Sequence, residues 1–244
     1  MALLEVNGIS KAFGGLQAVK DLSFTLEPGE ILGIIGPNGA GKTTAFNMIA
    51  GYFAPDSGII RFKDEDITGR RPWEVSHRKI ARTFQLSKPF GDLKILENVM
   101  VGGFHHQGSR AAARRKAVEV LRFVGMFDQA DIEAHNLTAT DRKRLELARC
   151  LATDPDLLLL DEVVAGATPA EASAMMDLIR KIRDNGVTIL MVEHVMRVVM
   201  GLSHRVLVLH HGETIAMGNP EAVSKDPAVL KAYLGGRHVQ PATQ

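Results

Sequence analysis

Gly36, Pro37, Asn38, Gly39, Ala40, Gly41, Lys42, Thr43 and Thr44 follow one another in an order suited to capturing a triphosphate. They fit the pattern glycine, four residues, glycine, lysine and Ser/Thr. An apolar run at 31–35 precedes them and a helix-forming stretch at 45–50 follows, the strand-loop-helix setting in which that pattern has meaning. Glycines reach backbone angles closed to other residues, so successive N–H groups can turn inward on an anion. A helix opening near Lys42 adds the positive end of its dipole. Lys42 supplies a mobile cation for the β- and γ-phosphates, and the Thr43 hydroxyl can ligate Mg²⁺. The alternative, a glycine-rich turn without a ligand, is disfavoured by the full match of context.

Four leucines at 157–160 end in Asp161 and Glu162. In a parallel sheet this strand is expected beside the one feeding the phosphate loop, which would bring Asp161 next to Thr43 to hold Mg²⁺ through its water shell. Neighbouring strand residues point in different directions, so Glu162 can face the γ-phosphate and polarise an attacking water. Alone, the run would read as a strand stopping at solvated acids. Its pairing with Lys42 and Thr43 argues against that.

The elements that must position these groups have to come from 244 residues of 45% hydrophobic content, enough for one large domain or a domain with a lobe. Lys plus Arg number 29 against 28 Asp plus Glu, so no global charge draws the chain to nucleic acid or an anionic membrane. The single cysteine, Cys150, excludes an internal disulfide, and nothing suggests secretion, so a cytosolic protein is expected. The apolar runs at 157–160 and 187–192 are far shorter than the roughly 20 residues a bilayer requires. Any membrane role therefore calls for a separate membrane-spanning partner.

Strand-like runs at 3–6, 22–26, 31–35 and 59–62 are separated by turn residues such as Pro28-Gly29 and Ser57-Gly58. From 95 to about 153 the pattern becomes helical, with three- and four-residue apolar spacing at 111–124 and 142–152, which predicts an inserted helical lobe. Strand 157–161, helix 169–184, strand 187–193, helix 195–201 and strand 205–210 then alternate. This implies a parallel sheet covered by helices, with ligands at the strands' carboxyl ends. Residues from 235 onward are expected to form a frayed tail.

On these motifs the chain resembles the ATP-binding cassette (ABC) family over about residues 4–234. The resemblance implies an α/β P-loop NTPase nucleotide-binding domain with an antiparallel β subdomain and an inserted helical lobe. Residues 1–90 and 155–234 would form the catalytic core with the β subdomain, and 91–154 the helical lobe. It also implies ATP and Mg²⁺ as cofactors, a head-to-tail dimer with a second cassette, and permease subunits that hold the chain at the cytoplasmic face of the membrane. By resemblance, Phe13 is similar to the aromatic on which adenine stacks, Gln85 to the glutamine that reaches Mg²⁺ and the attacking water, and His194 to the histidine that contacts the γ-phosphate. Taken singly these are also a core aromatic, a surface amide and a helix cap. Segments at 11–15, 31–48, 82–90, 97–102 and 232–236 are similar to ATPase subunits of branched-chain amino-acid importers. Importers of urea or amides and the lipopolysaccharide-export ATPase share much of this wording.

The chain departs from the family at its signature, normally Leu-Ser-Gly-Gly-Gln and here Leu137-Thr138-Ala139-Thr140-Asp141. Thr138, Ala139 and Thr140 are the residues carried over to the partner's ATP. Thr140 tolerates fewer backbone angles than glycine, which is expected to hinder close approach to phosphate. Asp141 either brings negative charge toward the γ-phosphate or caps the following helix. Val163 stands in place of the usual proline and Thr168 in place of an aspartate. The resemblance therefore allows an importer ATPase or a regulatory cassette that turns over ATP poorly. His105-His106 and His210-His211 lack accompanying metal-ligand spacing, and Arg110, Arg114, Arg115 and Lys116 are expected on a solvated helix face. No nucleic-acid module is visible.

Overall fold

The computed structural model describes residues 1–84, 88–104 and 108–234. In chain order the elements begin with β1 (Leu4–Phe13), β2 (Leu16–Leu26), β3 (Ile31–Ile35), α1 (Lys42–Ile49), β4 (Ser57–Phe62), β5 (Glu65–Asp66), α2 (Pro72–His77) and β6 (Ile80–Arg82). Helices α3 (Ile95–Gly103), α4 (Arg110–Phe123) and α5 (Ala139–Leu151) follow. The chain continues through β7 (Leu157–Asp161), α6 (Pro169–Asp184), β8 (Thr188–Val192), α7 (Met196–Leu202), β9 (Arg205–His210) and β10 (Glu213–Gly218), then α8 (Pro220–Ser224) and α9 (Pro227–Leu234).

An antiparallel sheet of order β2–β1–β4–β5 packs against a mainly parallel sheet of order β10–β9–β3–β8–β7–β6. Strands β3, β7 and β8 are buried at every position, which is why they read as unbroken apolar runs rather than alternating ones. Their side chains still alternate between two faces. Leu158, Leu160, Ile189 and Met191 pack with the helices α3 to α6. Leu32, Ile34, Leu157, Leu159, Leu190 and Val192 pack with α1 and the antiparallel sheet. Each buried apolar side chain of this kind contributes about 1.5–3 kcal/mol.

Three expectations need correction. Strand β7 does not lie beside β3: β8 separates them, pairing Ile34 with Val192 on one side and Asp161 with Val192 on the other. All three strands are equally apolar and equally buried, so hydropathy carries no information about their order. Strand β2 starts at Leu16, not Leu22, because its first half is a largely exposed hairpin arm with polar residues, held by pairing to β1 rather than by burial. Lys116 is also not simply solvated: its ammonium lies 2.5 Å from Asp154 Oδ1, with the side chain only 17% exposed.

Candidate active site

The phosphate loop leaves the carboxyl end of β3 and enters α1. Gly36 has φ 152°, and a Cβ there would meet the Leu209 carbonyl oxygen of β9 at 2.1 Å. Gly41 has φ 102°, and its Cβ would lie 2.3 Å from the Ala18 carbonyl oxygen. Both positions exclude a side chain on angle and on space, so the glycines fit the loop between neighbouring backbones. Lys42 is buried, and its Nζ donates to the carbonyl oxygens of Gly36 at 2.7 Å and Pro37 at 3.0 Å. Burial pulls its ammonium below the ordinary lysine range, opposed by the charges of Glu162 and Asp161.

A cleft of about 630 Å³ opens in front of this loop. Phe13, Gln17, the residues 38–44 and Glu162 line it, together with His211. The structure thus brings Phe13, from the end of β1, to the phosphate loop from the other sheet. Its ring is half-exposed and is braced edge-on by Phe53 at 5.2 Å between centroids. Brought to the same cleft from β7 is Glu162, whose φ of 50° turns the chain out of the strand. Its N–H donates to the Val192 carbonyl oxygen at 3.0 Å, and one carboxylate oxygen lies 3.7 Å from His194 Nδ1.

Asp161 is buried and shares a second cavity with Thr43. Burial pushes its carboxyl above the ordinary range, while Arg82, whose guanidinium lies 3.1 Å away, pulls it back. Arg82 and Asn47, which hydrogen-bond each other, are groups that the sequence reading passed over. Arg82 stands in the very segment singled out for Gln85, but nothing in its spacing marks an arginine that reaches across to another strand. Gln85 itself, like His105 and His106, lies outside the described residues.

The donor set suits magnesium. Mg²⁺ takes one or two protein oxygens and fills the rest of its octahedron with water and phosphate, and Thr43 and Asp161 offer a hydroxyl and a carboxylate on one cavity wall. Among the described residues no group of three or more His, Cys, Asp or Glu gathers as an all-protein cage.

Comparison with known proteins decides the family. A model described as "ABC transporter" matches residues 19–165, and one described as "Branched-chain amino acid ATP-binding cassette transporter" matches residues 213–239. The chain is 38% identical to the high-affinity branched-chain amino acid transport ATP-binding protein LivG of Escherichia coli (strain K12), over 96% of this chain and 98% of that one. It superposes on the ADP conformation of an ATP-binding cassette of an ABC transporter with a TM-score of 0.88 at 30% identity, covering 96% of this chain and 99% of that chain. A dimeric ATP-binding cassette in a post-hydrolysis state, bound to ADP and Pi, matches with a TM-score of 0.79 at 25% identity, covering 89% and 98%.

The chain belongs to the ABC transporter family. It is an ABC ATPase with the expected cassette fold, a nucleotide-binding α/β core joined to an antiparallel sheet and a helical insertion.

In this cassette the signature segment does not join the phosphate-loop cleft of its own chain. Thr138 is the N-cap of α5, its Oγ1 accepting from the Asp141 N–H at 3.1 Å, so the cap expected at Asp141 sits three residues earlier. The Thr138 hydroxyl also donates to the Asp141 carboxylate at 2.9 Å. Ala139 and Thr140 occupy the first turn of a right-handed helix, so the backbone-angle penalty expected at Thr140 does not arise. What replaces it is a side-chain tie, from the Thr140 hydroxyl to Glu171 Oε1 at 2.8 Å. Glu171 in turn forms a capping box with Thr168 at the start of α6. The rings of His210, the last residue of β9, and His211, just beyond it, lie 4.1 Å apart and tilted by 58°.

Proposed function

We propose that this ATPase powers an importer of branched-chain or related amino acids. The observation that carries this reading is the placement of Lys42 and Glu162 on one cleft of a chain 38% identical, over nearly its whole length, to a branched-chain amino acid transport ATP-binding protein. In this reading Phe13 stacks on adenine, and the loop Gly36, Pro37, Asn38, Gly39, Ala40, Gly41, Lys42, Thr43 and Thr44 surrounds the phosphates with its backbone N–H groups, all but Pro37 offering one. Lys42 leaves the Gly36 and Pro37 carbonyls for the β- and γ-oxygens. Thr43, Asp161 and Gln85 hold Mg²⁺, which when bound neutralises charge on the phosphate oxygens. Glu162 accepts a hydrogen bond from the attacking water and orients it in line with the bond to be broken, while His194 steadies the γ-phosphate.

The same reading assigns two kinds of partner. A second cassette closes head to tail over the ATP, offering its signature to this chain's phosphate loop and receiving Thr138, Ala139 and Thr140 at its own. Permease subunits dock on the exposed apolar surface around Phe84, Phe90 and Phe104 and hold the chain at the cytoplasmic face. Among the described residues no helix is long and apolar enough to cross a membrane. The catalytic core with its β subdomain at 1–90 and 155–234 and the helical lobe at 91–154 would move against each other in the cycle. A second reading, a regulatory cassette of low turnover, is favoured by the self-capped signature, in which the Thr138 and Thr140 hydroxyls are both engaged within the chain.

Glu162→Gln separates the two. In the assembled complex it should keep ATP affinity while turnover falls by at least about 100-fold, since general base catalysis contributes 10²–10⁴. A parental rate in the variant would remove Glu162 as the base and leave the regulatory reading.

A further inference from the structure

The turn that follows Glu162 is gripped from two sides. From α5, Lys143 Nζ donates to the Ala165 carbonyl oxygen at 2.5 Å and to the Glu162 carbonyl oxygen at 3.3 Å. From the end of β8, Glu193 Oε1 accepts from the Val164 N–H at 3.2 Å. A cation thus holds carbonyls and an anion holds an N–H within four consecutive residues, and the turn closes on itself through the Ala165 N–H and the Glu162 carbonyl oxygen at 3.2 Å. Glu193 is 1% exposed, so its contact to the turn is made away from water and is correspondingly strong.

The turn needs such a grip. Glu162 sits at φ 50°, a left-handed conformation costing an ordinary L residue about 1–2 kcal/mol. Strained backbone of this kind persists where its surroundings over-determine it. Neither Lys143 nor Glu193 lines the phosphate-loop cleft; both contact the turn behind it. Lys143 also shares a helix with Thr140, which ties to Glu171, and with Glu146, whose carboxylate accepts from the Phe84 N–H. These residues recur every three positions, on one side of α5.

We infer that Lys143 is a positioning residue for ATP hydrolysis: its ammonium fixes the 162–165 turn so that the Glu162 carboxylate stays aimed into the cleft. Because Lys143 rides on α5, that aim depends on where the signature helix stands against the sheet. Displacement of α5 by as little as 1 Å would release the base without disturbing the phosphate loop, a scale of misplacement that can change a rate by 10²-fold. The inference rests on the reading of Glu162 as the base.

The test compares Lys143→Met, Lys143→Gln, Glu162→Gln and the Lys143→Met/Glu162→Gln double variant in the assembled complex. Turnover is measured at saturating Mg-ATP and ATP affinity by calorimetry. Lys143→Met should lower kcat about 10- to 100-fold and leave affinity within about twofold, which also reports an intact phosphate loop. Lys143→Gln, which keeps an N–H donor for one carbonyl, should fall between it and the parent. The double variant should be no slower than Glu162→Gln alone, because the lysine acts through the glutamate. A parental kcat in both Lys143 variants, a matching loss of ATP affinity, or a multiplicative double variant would each overturn the inference while leaving Glu162 as the base. A parental rate in Glu162→Gln would overturn the reading of the base, and the role of Lys143 with it.

Discussion

The Lys42 ammonium lies 2.7 Å from the Gly36 carbonyl oxygen, so the cation of the phosphate loop is held by the loop's own first residue. Nucleotide binding must exchange this bond for phosphate oxygens, whose negative charge attracts the ammonium more than a neutral carbonyl does, and a hydrogen bond to a charged group contributes about 1.5–3 kcal/mol. Lys42→Ala should weaken ATP binding by about 10- to 150-fold, on the scale of tenfold per 1.4 kcal/mol. Calorimetric titration of the full chain measures this, and unchanged affinity would remove Lys42 from the site.

The altered signature should make this cassette a weak partner to itself. In a homodimer both composite sites would use residues 137–141, with the Asp141 carboxylate brought toward phosphate and the Thr140 hydroxyl turned to Glu171. Restoring Ser-Gly-Gly-Gln at 138–141 should raise homodimer turnover at saturating ATP by about tenfold or more, since like charges juxtaposed across an interface oppose each other by several kcal/mol. Losing the Thr140 tie and adding glycine to the first turn should lower the melting temperature slightly, at about 1 kcal/mol per glycine. Equal turnover in the two chains would show that Ala139, Thr140 and Asp141 serve as well as the usual residues.

Glu193 should leave a mark on stability. Burial pushes its carboxyl above the ordinary value of 4.5, against the pull of the Val164 N–H and His194. Just above that value the folded chain keeps a proton that the unfolded chain has released, so unfolding sheds it and stability falls as pH rises through the window. Glu193→Gln removes this dependence. Its melting temperature relative to the parent should therefore climb between pH 4.5 and neutrality, as read by scanning calorimetry. The raised Asp161 carboxyl acts with the same sign in both chains and cancels from the difference.

Docking of the permease is tested by crosslinking. Phe90 and Phe104 are half-exposed, and Arg149 stacks 4.8 Å from the Phe90 ring. The native Cys150 is buried, with its thiol pushed up to about 12, so it does not compete for a thiol reagent. Cysteines placed at Phe90 or Phe104 should capture a membrane subunit, and cysteines at Glu213 or Thr214 should not. The reverse pattern would move the docking face to β10.

The phosphate loop was legible because its requirements are local: Gly36 and Gly41 are forced by angle and space, and Lys42 by charge. Asp161 and Glu162 were legible as a strand end, but their route to the loop was not, since β8 carries the same apolar pattern as the strand it displaces. Arg82 and Lys143 were missed for a common reason. Each acts on a partner about 80 or 20 residues away through the length of its side chain, and a lone basic residue has no periodicity to betray its target. The cap at Thr138 was missed through a boundary: α5 begins three residues before its apolar pattern does, so the sequence offered Asp141 as the capping residue.

The φ of 50° at Glu162 places two kinds of selection in opposition. Glycine would relax that backbone by about 1–2 kcal/mol and fit the turn without strain. It would also delete the carboxylate. A library screened for heat resistance should enrich glycine at 162, and one screened for growth on transported substrate should discard it. The residue retained there is thus a compromise that only a turnover screen would rediscover, of the kind that keeps natural proteins below their attainable stability.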